Sequence, residues 1–163
     1  ALVTSGPGAT NIVTGLATAY LDSVPLVAIT GQVQVQHLGR DSFQEIDIVG
    51  VTIPITKYNV LVRRPEDLLP TLRQAFRLAK EGRPGPVLVD IPSSIQSGEV
   101  EWLEPEADPE ETQTAENIED VLKAAAVTIN NAERPVLLVG GGAVHSAAEQ
   151  EVIAFETAGQ TVI

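Results

Sequence analysis

Short apolar runs that alternate with helically spaced segments restrict the folds open to this chain. The runs are rich in β-branched and aliphatic residues and cover residues 1–4, 25–30, 59–63, 86–91, 135–139 and 161–163. Their apolar residues are consecutive, which is typical of strands buried on both faces. The segments between them space apolar residues three and four apart, within 12–20, 68–79, 118–129 and 148–155. This order predicts an α/β fold with a parallel sheet flanked by helices.

An acidic segment divides the chain. The 163 residues carry a net charge of −12, and residues 99–120 contain ten acidic residues and no basic one. Repulsion among these charges and the prolines between them oppose packing. We therefore predict one α/β domain at 1–98, an acidic linker at 99–114 and the start of a second, Rossmann-like domain at 115–163. Because both ends of the sequence fall on strand patterns, we expect a piece of a longer protein.

Composition argues against several classes of function. The chain has no cysteine, and this excludes disulfides, thiolate metal sites and cysteine nucleophiles. It has six aromatic residues and no basic cluster, so nothing favours nucleic-acid binding. No signal peptide or long apolar run indicates a membrane partner. We predict a cytoplasmic protein with no metal site in this chain, because His37 and His145 lack partners at ligand spacing.

The stretch Thr4–Asn11, written TSGPGATN, leaves the first predicted strand through two glycines. Gly6 and Gly8 permit unusual backbone dihedrals and keep the bend free of side chains. Open N–H groups at the start of the following helix suit an anion or a polar ring. The stretch lacks the third glycine of the dinucleotide fingerprint. A tight structural turn and a ligand-binding loop therefore remain equally open.

A second polar region follows the next predicted strand. Gln32 stands at its carboxyl end, where its amide could face the same crevice as Asn11 and hydrogen-bond a neutral heterocycle. The segment 39–45, written GRDSFQE, comes shortly afterwards. The alternative is that this segment only begins a polar helix, with Asp41 as its cap and Glu45 exposed. Both interpretations stay open on the residues alone.

Several motifs together closely resemble one enzyme family. They are TSGPGATNIVTGLATAYLDSVPLVAITGQV, GRDSFQEIDIVG, ITKYNV and AFRLAKEGRPGPVLVDIP. This set resembles the catalytic large subunits of the acetolactate synthase (acetohydroxyacid synthase) family, which depend on thiamine diphosphate. The resemblance covers residues 1–97 and continues more loosely through PVLLVGGGAVHSAAE. Glyoxylate carboligase, sulfoacetaldehyde acetyltransferase and pyruvate oxidase share much of the pattern.

The resemblance implies domain identities and roles for site residues. Residues 1–98 would be the C-terminal part of the pyrimidine-binding domain, and 115–163 the start of the central, FAD-binding-type domain. The aminopyrimidine of thiamine diphosphate would contact Pro7 and Asn11. Gln32, placed beside Asn11 by its position at a strand end, is a third predicted cofactor-binding residue. Phe43 and Gln44 would be the catalytic residues that line the substrate channel. The residues that would contact FAD are Arg83, Gly140, Gly141 and Gly142.

Gly140–Gly142 could instead belong to a nicotinamide-binding site. Gly140–Gly142 follow a predicted strand, as in a nicotinamide site, but His145 stands where the third glycine of that fingerprint belongs. We expect His145 to open a helix after them. The chain also departs from the family pattern at Gln34, commonly proline, and at Ser93, commonly lysine. Because a cation in the channel would favour ketoacid carboxylates, Ser93 leaves the substrate pair open.

The implied activity is that of a transferase. It condenses two 2-ketoacids, pyruvate with pyruvate or 2-ketobutyrate, with decarboxylation, in branched-chain amino acid biosynthesis. The implied cofactors are thiamine diphosphate, FAD and Mg²⁺, the last bound outside this chain. The implied partners are a second copy, in a homodimer or tetramer with active sites between subunits, and a regulatory small subunit. If the source is a plant or an alga, the protein would be located in the plastid. The alternative is a non-catalytic binding or assembly module, and the chain alone is expected to be inactive.

Overall fold

A computed structural model describes residues 1–102, 104, 118–157 and 161–162. The chain divides into two compact units, Ala1–Glu106 and Ala107–Ile163. This division falls within the acidic segment predicted to be a linker at 99–114. Most of that segment, and the last residue of the predicted strand at 161–163, lie outside the described residues.

The first unit has four strands and five helices among its described residues. The strands are β1 (Leu2–Val3), β2 (Leu26–Gln32), β3 (Tyr58–Leu61) and β4 (Pro86–Pro92). The helices are α1 (Pro7–Asn11), α2 (Val13–Leu21), α3 (Ile48–Thr52), α4 (Leu68–Lys80) and α5 (Ser93–Gln96). Short 3₁₀ turns cover Val35–His37, Ile53–Ile55 and Pro65–Asp67. Every strand predicted for this part of the sequence is present, within two residues at each end.

The four strands form one parallel sheet in the order β1-β2-β4-β3. β2 and β4 pair along their full length, with Ala28 opposite Leu88 and Thr30 opposite Asp90. Every residue of β4 is buried. A central strand covered on both faces explains why its sequence is continuously apolar rather than alternating.

Helices cover both faces of the sheet. On one face Val87, Val89 and Ile91 pack with Ala75 and Ala79 of α4. On the opposite face the buried cluster joins the strands to α1, α2 and α3, and its members are Ala9, Leu16, Ala28, Ile48 and Leu88. Burial of each large apolar side chain contributes roughly 1.5–3 kcal/mol. The predicted α/β architecture is confirmed.

The described residues of the second unit form three helices and two short strands. They are α6 (Ile118–Asn130), β5 (Val136–Leu137), α7 (Gly141–His145), α8 (Glu149–Thr157) and β6 (Thr161–Val162). β5 and β6 are parallel, with Val136 opposite Thr161. The expectation that His145 opens a helix is wrong, because α7 already begins at Gly141 and His145 is its last residue. Across the described residues no helix is long and apolar enough to cross a bilayer.

Candidate cofactor and substrate site

A polar cluster occupies the carboxyl end of the sheet on the face covered by α1, α2 and α3. Strand side chains alternate between faces, so Thr30, Gln32 and Asp90 follow Ala28 and Leu88 on the same side. All three polar residues are buried, and Asp90 is 1% exposed. Thr30 Oγ1 donates to Asp90 Oδ1 at 2.6 Å, and Gln32 Nε2 donates to Asp90 Oδ2 at 2.9 Å. Each carboxylate oxygen of Asp90 therefore has a donor.

Burial decides the protonation of Asp90. Loss of solvent disfavours its charged form and raises the pKa to about 6 from the ordinary 3.8, although the bonds from Thr30 and Gln32 act in the opposite direction. The nearby charge of Asp47 adds to the increase. Asp90 is not among the site residues predicted from the sequence. An acidic residue inside the otherwise apolar run 86–91 is the signal that could have found it.

Gln32 links this buried cluster to the segment that crosses above it. Besides its bond to Asp90, its Nε2 donates to the backbone oxygen of Ile46 at 2.7 Å. Its Oε1 accepts from Val33 N at 2.9 Å. Both hydrogens of the amide are therefore used within the protein. The role of Gln32 in cofactor binding stays a prediction, which would have to use the remaining lone pair of Oε1.

The segment Gly39–Ile46, which we call the FQE loop, is organised by one carboxylate. Glu45 accepts hydrogen bonds from the backbone N–H groups of Gly39, Arg40 (3.3 Å) and Ser42 (2.8 Å). The bonds from Ser42 and Gly39 hold the pKa of Glu45 below its usual value. Three donors on one side chain fix the first half of the loop.

The alternative of a helix capped by Asp41 is wrong. Asp41 has a φ of 52° and lies in the FQE loop, where Glu45 rather than a helical turn satisfies the backbone. The helix that follows, α3, starts only at Ile48. Its cap is Asp47, whose carboxylate accepts from Gly50 N at 2.9 Å.

The tip of the FQE loop combines an exposed ring with a strained backbone. Phe43 leaves 88% of its surface exposed. The next residue, Gln44, has a φ of 61° in the left-handed region and is also exposed. Such a conformation costs a residue with a side chain roughly 1–3 kcal/mol, so surrounding contacts must maintain it. Strain and an exposed aromatic ring at one tip are typical of a ligand-binding loop.

The stretch Thr4–Asn11 lies against this tip. Gly6 has a φ of 58°, and a Cβ there would stand 2.8 Å from Gln44 Cβ and 2.9 Å from Gln44 O. The close approach of the FQE loop therefore requires a glycine at this position. Pro7 and Asn11 are exposed at the two ends of α1. The structure thus brings together three of the predicted site regions: the TSGPGATN turn, Gln32 and the FQE loop.

Arg83 lies elsewhere in the first unit, at the end of α2. Its Nε donates to Ser23 Oγ at 2.8 Å, and its Nη2 donates to the backbone oxygens of Tyr20 and Leu21 at 3.3 and 3.2 Å. The guanidinium also lies 5.9 Å from the centre of the Tyr20 ring. A cation on the last carbonyls of a helix stabilises its C-terminus.

Gly140–Gly142 belong to the second unit. Gly140 is extended and precedes α7, and a Cβ at Gly140 or Gly142 would meet nothing within 4 Å. Packing within the described chain therefore does not require these glycines. Among the described residues, no group of three or more His, Asp or Glu side chains could hold a metal ion. Ser93, the departure from the family lysine, is the exposed first residue of α5, directly after β4.

One protein-family model matches the first part of the chain. Residues 1–51, from β1 through the FQE loop into α3, match the thiamine pyrophosphate enzyme, N-terminal TPP binding domain family. This segment is therefore similar to the N-terminal domains of thiamine-pyrophosphate-dependent enzymes.

The chain is also similar, over most of its length, to several acetolactate synthases. The chain is 48% identical over 159 residues to acetolactate synthase of Arthrospira platensis, across 93% of this chain and 27% of that protein. It is 50% identical over 160 residues to the acetolactate synthase large subunit of Corynebacterium glutamicum, across 94% and 25%. It is 47% identical over 150 residues to acetolactate synthase isozyme 1 large subunit of Escherichia coli K12, across 92% and 27%. The predicted resemblance is confirmed, and the chain spans about a quarter of the length of these relatives.

Proposed function

We propose that the full-length protein containing this chain is the catalytic large subunit of an acetolactate synthase. It joins pyruvate to a second pyruvate or to 2-ketobutyrate, with loss of carbon dioxide, in branched-chain amino acid biosynthesis. The observation that carries the proposal is the contact of Gly6 with Gln44, which sets the TSGPGATN turn beside the FQE loop in a region similar to acetolactate synthases. One turn would face the cofactor and one loop the substrate.

Thiamine diphosphate, when bound, supplies the electron sink that decarboxylation of a 2-ketoacid needs. The residues present fit its aminopyrimidine half. The Asn11 amide is exposed and makes no hydrogen bond within the described part of the chain, so its donors and acceptor are free for a heterocycle. Pro7 presents an exposed apolar ring directly after Gly6, the residue that contacts the FQE loop. Asn11 would orient the ring, and Pro7 would pack on it.

The exposed tip of the FQE loop would hold the second ketoacid. Phe43 offers an apolar ring that would contact the alkyl group of pyruvate or 2-ketobutyrate. The Gln44 amide can donate to a ketoacid carbonyl or carboxylate. Ser93 removes the cation that the family commonly places after β4, so recognition of the carboxylate would rest more on neutral donors.

The two candidate FAD-binding regions, Gly140–Gly142 and Arg83, differ in how freely they could contact the cofactor. The open backbone at Gly140–Gly142 would let a flat cofactor approach without a side-chain clash. Arg83 already uses Nε and Nη2 at the end of α2, so Nη1 is the group it could offer to FAD. Mg²⁺ would be held, with the diphosphate, by a part of the protein other than this chain.

We also propose partners and a cellular location for the full-length protein. The names "large subunit" of the relatives from C. glutamicum and E. coli support a regulatory small subunit as a partner. We also propose a homodimer or tetramer with active sites between subunits. The proposed location is the cytoplasm, or the plastid in a plant or alga.

Product analysis of the purified full-length protein tests the proposal. Thiamine diphosphate, Mg²⁺ and FAD are supplied with pyruvate, pyruvate plus 2-ketobutyrate, glyoxylate, or sulfoacetaldehyde with phosphate, and products are identified by mass spectrometry. Acetolactate that forms only with thiamine diphosphate supports the assignment. Preferred condensation of glyoxylate, acetyl phosphate from sulfoacetaldehyde, or oxidation of pyruvate would assign one of the related activities instead. No turnover of any substrate would favour a non-catalytic binding or assembly module.

A further inference from the structure

We propose that Asp90 is a positioning residue that holds the FQE loop through Gln32. The loop then presents Phe43 and Gln44 in a fixed conformation toward the reacting carbon. The tether is an inference from geometry alone, whereas the consequence for substrate rests on the proposed function.

The link runs through one amide group. Gln32 Nε2 donates one hydrogen to Asp90 Oδ2 at 2.9 Å and the other to the backbone oxygen of Ile46 at 2.7 Å. Val33 N donates to Gln32 Oε1 at 2.9 Å and fixes the direction of the amide from its other side. With the carboxylate removed, one hydrogen of Nε2 would lose its acceptor, and the amide could turn away from Ile46.

Asp90 itself is excluded from contact with substrate. It is 1% exposed, and its two oxygens are occupied by Thr30 and Gln32. A buried carboxylate is costly unless hydrogen bonds satisfy it, so a packed apolar residue on β4 would be the simpler solution for stability. Within the described parts of the chain, the carboxylate is connected to a segment outside the sheet through Gln32, which also donates to Ile46 O at the end of the FQE loop.

The FQE loop needs such a tether at its second half. Glu45 fixes the first half through the N–H groups of Gly39, Arg40 and Ser42. The strained residue Gln44, with a φ of 61°, lies inside the turn that Glu45 closes on Ser42. Beyond that turn, Ile46 O accepts from Gln32 Nε2 and from Ile48 N, so the bond from Gln32 anchors the end of the loop to the sheet and limits relaxation of the left-handed backbone at Gln44.

Hydrogen exchange of the full-length protein measures the tether directly. Asp90→Leu removes the carboxylate and keeps a branched side chain of similar shape, with methyl groups in place of the two oxygens. Asp90→Asn can keep both bonds, because its Oδ1 can accept from Gln32 while its Nδ2 donates to Thr30 Oγ1. The matched control is Thr56→Val, since Thr56 is 8% exposed and its hydroxyl donates to Thr52 O at 2.8 Å, away from the loop.

The expected result separates these variants. In Asp90→Leu the amides of the FQE loop should exchange about tenfold faster or more, because a buried hydrogen bond that maintained local structure is lost. In Asp90→Asn they should remain within about threefold of wild type. Thr56→Val should leave loop exchange unchanged even where its midpoint of urea unfolding falls. The KM for the second ketoacid should rise in Asp90→Leu, with a smaller change in kcat.

Several outcomes would overturn the proposal. Unchanged loop exchange in folded Asp90→Leu removes the tether, and so does equal acceleration in Thr56→Val. If Asp90→Leu does not fold, Gln32→Leu is used instead, because it leaves Asp90 in place and breaks the same link. Unchanged exchange of the FQE loop amides in Gln32→Leu would also refute the tether. Faster exchange of the loop amides with an unchanged KM would refute the claim that the tethered loop presents Phe43 and Gln44 to the substrate. If the wild-type protein condenses no ketoacids, the proposed function fails, while the exchange data still decide the tether.

Discussion

The raised pKa of Asp90 predicts an unusual dependence of stability on pH. In the folded chain the carboxyl has a pKa of about 6, against an ordinary value of 3.8. Between these values the folded state binds a proton that the unfolded state does not bind. Unfolding free energy therefore rises as the pH falls through about 6, and this contribution is complete below about pH 4. Above pH 6 both states are ionised, and the folded state carries the cost of a buried charge.

The magnitude follows from the same two values. At 1.36 kcal/mol per pKa unit, the difference between pKa values of 3.8 and about 6 corresponds to about 3 kcal/mol of unfolding free energy. About two-thirds of that should be gained between about pH 7 and about pH 4.5. Asp90→Asn abolishes this contribution, because an amide does not titrate. The carboxylates of Glu45 and Asp67, whose pKa values are lowered by their hydrogen bonds, are common to both proteins and cancel in the comparison.

Urea unfolding followed by circular dichroism gives the required quantity. Wild type and Asp90→Asn are unfolded at a series of pH values between about 4.5 and about 7.5, and the difference in unfolding free energy is plotted against pH. The account predicts that wild type gains about 2 kcal/mol relative to the variant as the pH falls over this range. Parallel curves for the two proteins would show that Asp90 titrates normally, and the argument from its burial would be wrong.

Two further predictions concern glycines and Arg83. Gly6→Ala should lower the unfolding free energy by roughly 1–3 kcal/mol, because the new Cβ would meet Gln44 and the backbone at Gly6 has a positive φ. The control is Gly15→Ala, since Gly15 lies in a helix and a Cβ there would meet nothing within 4 Å. This change should raise the unfolding free energy by roughly 0.5–1 kcal/mol. Urea midpoints compare the pair, and equal effects would contradict the assigned contact. Arg83→Ala should weaken FAD binding by about tenfold and lower stability through α2, whereas exposed Arg77→Ala should do neither. Flavin fluorescence titration measures the affinities, and unchanged FAD affinity in Arg83→Ala would remove that residue from the cofactor site.

The fold was largely predictable because burial on both faces leaves a strong pattern. β4 and β2 show continuous apolar runs, and their observed bounds lie within two residues of the predicted ones. The helix α3 was not predicted, since its five residues are too short to display a helical period. The separate helix α1 was not predicted for the same reason, since it also has five residues and ends before the predicted helical segment begins at Ile12.

The site was predictable only as far as its local motifs reach. Gly6 and Gln44 were selected, but their contact joins residues far apart in sequence and required the folded chain. The bonds from Thr30 and Gln32 to Asp90 likewise span 60 and 58 residues and follow from strand order, which the sequence does not specify. The Glu45 cage is local, but it depends on left-handed backbone at Gly39 and Asp41, and residue type alone indicates this weakly for an aspartate.

Competition between two substrates tests the central claim, that the FQE loop presents Phe43 to the second ketoacid of a thiamine-diphosphate-dependent condensation. Full-length wild type and Phe43→Ala are given equal concentrations of pyruvate and 2-ketobutyrate with all cofactors, and the two condensation products are quantified. We expect both products from wild type and a changed ratio in Phe43→Ala, since one methylene in a pocket is worth roughly 1–3 kcal/mol. An identical ratio in the two proteins, or no condensation by wild type, would contradict it.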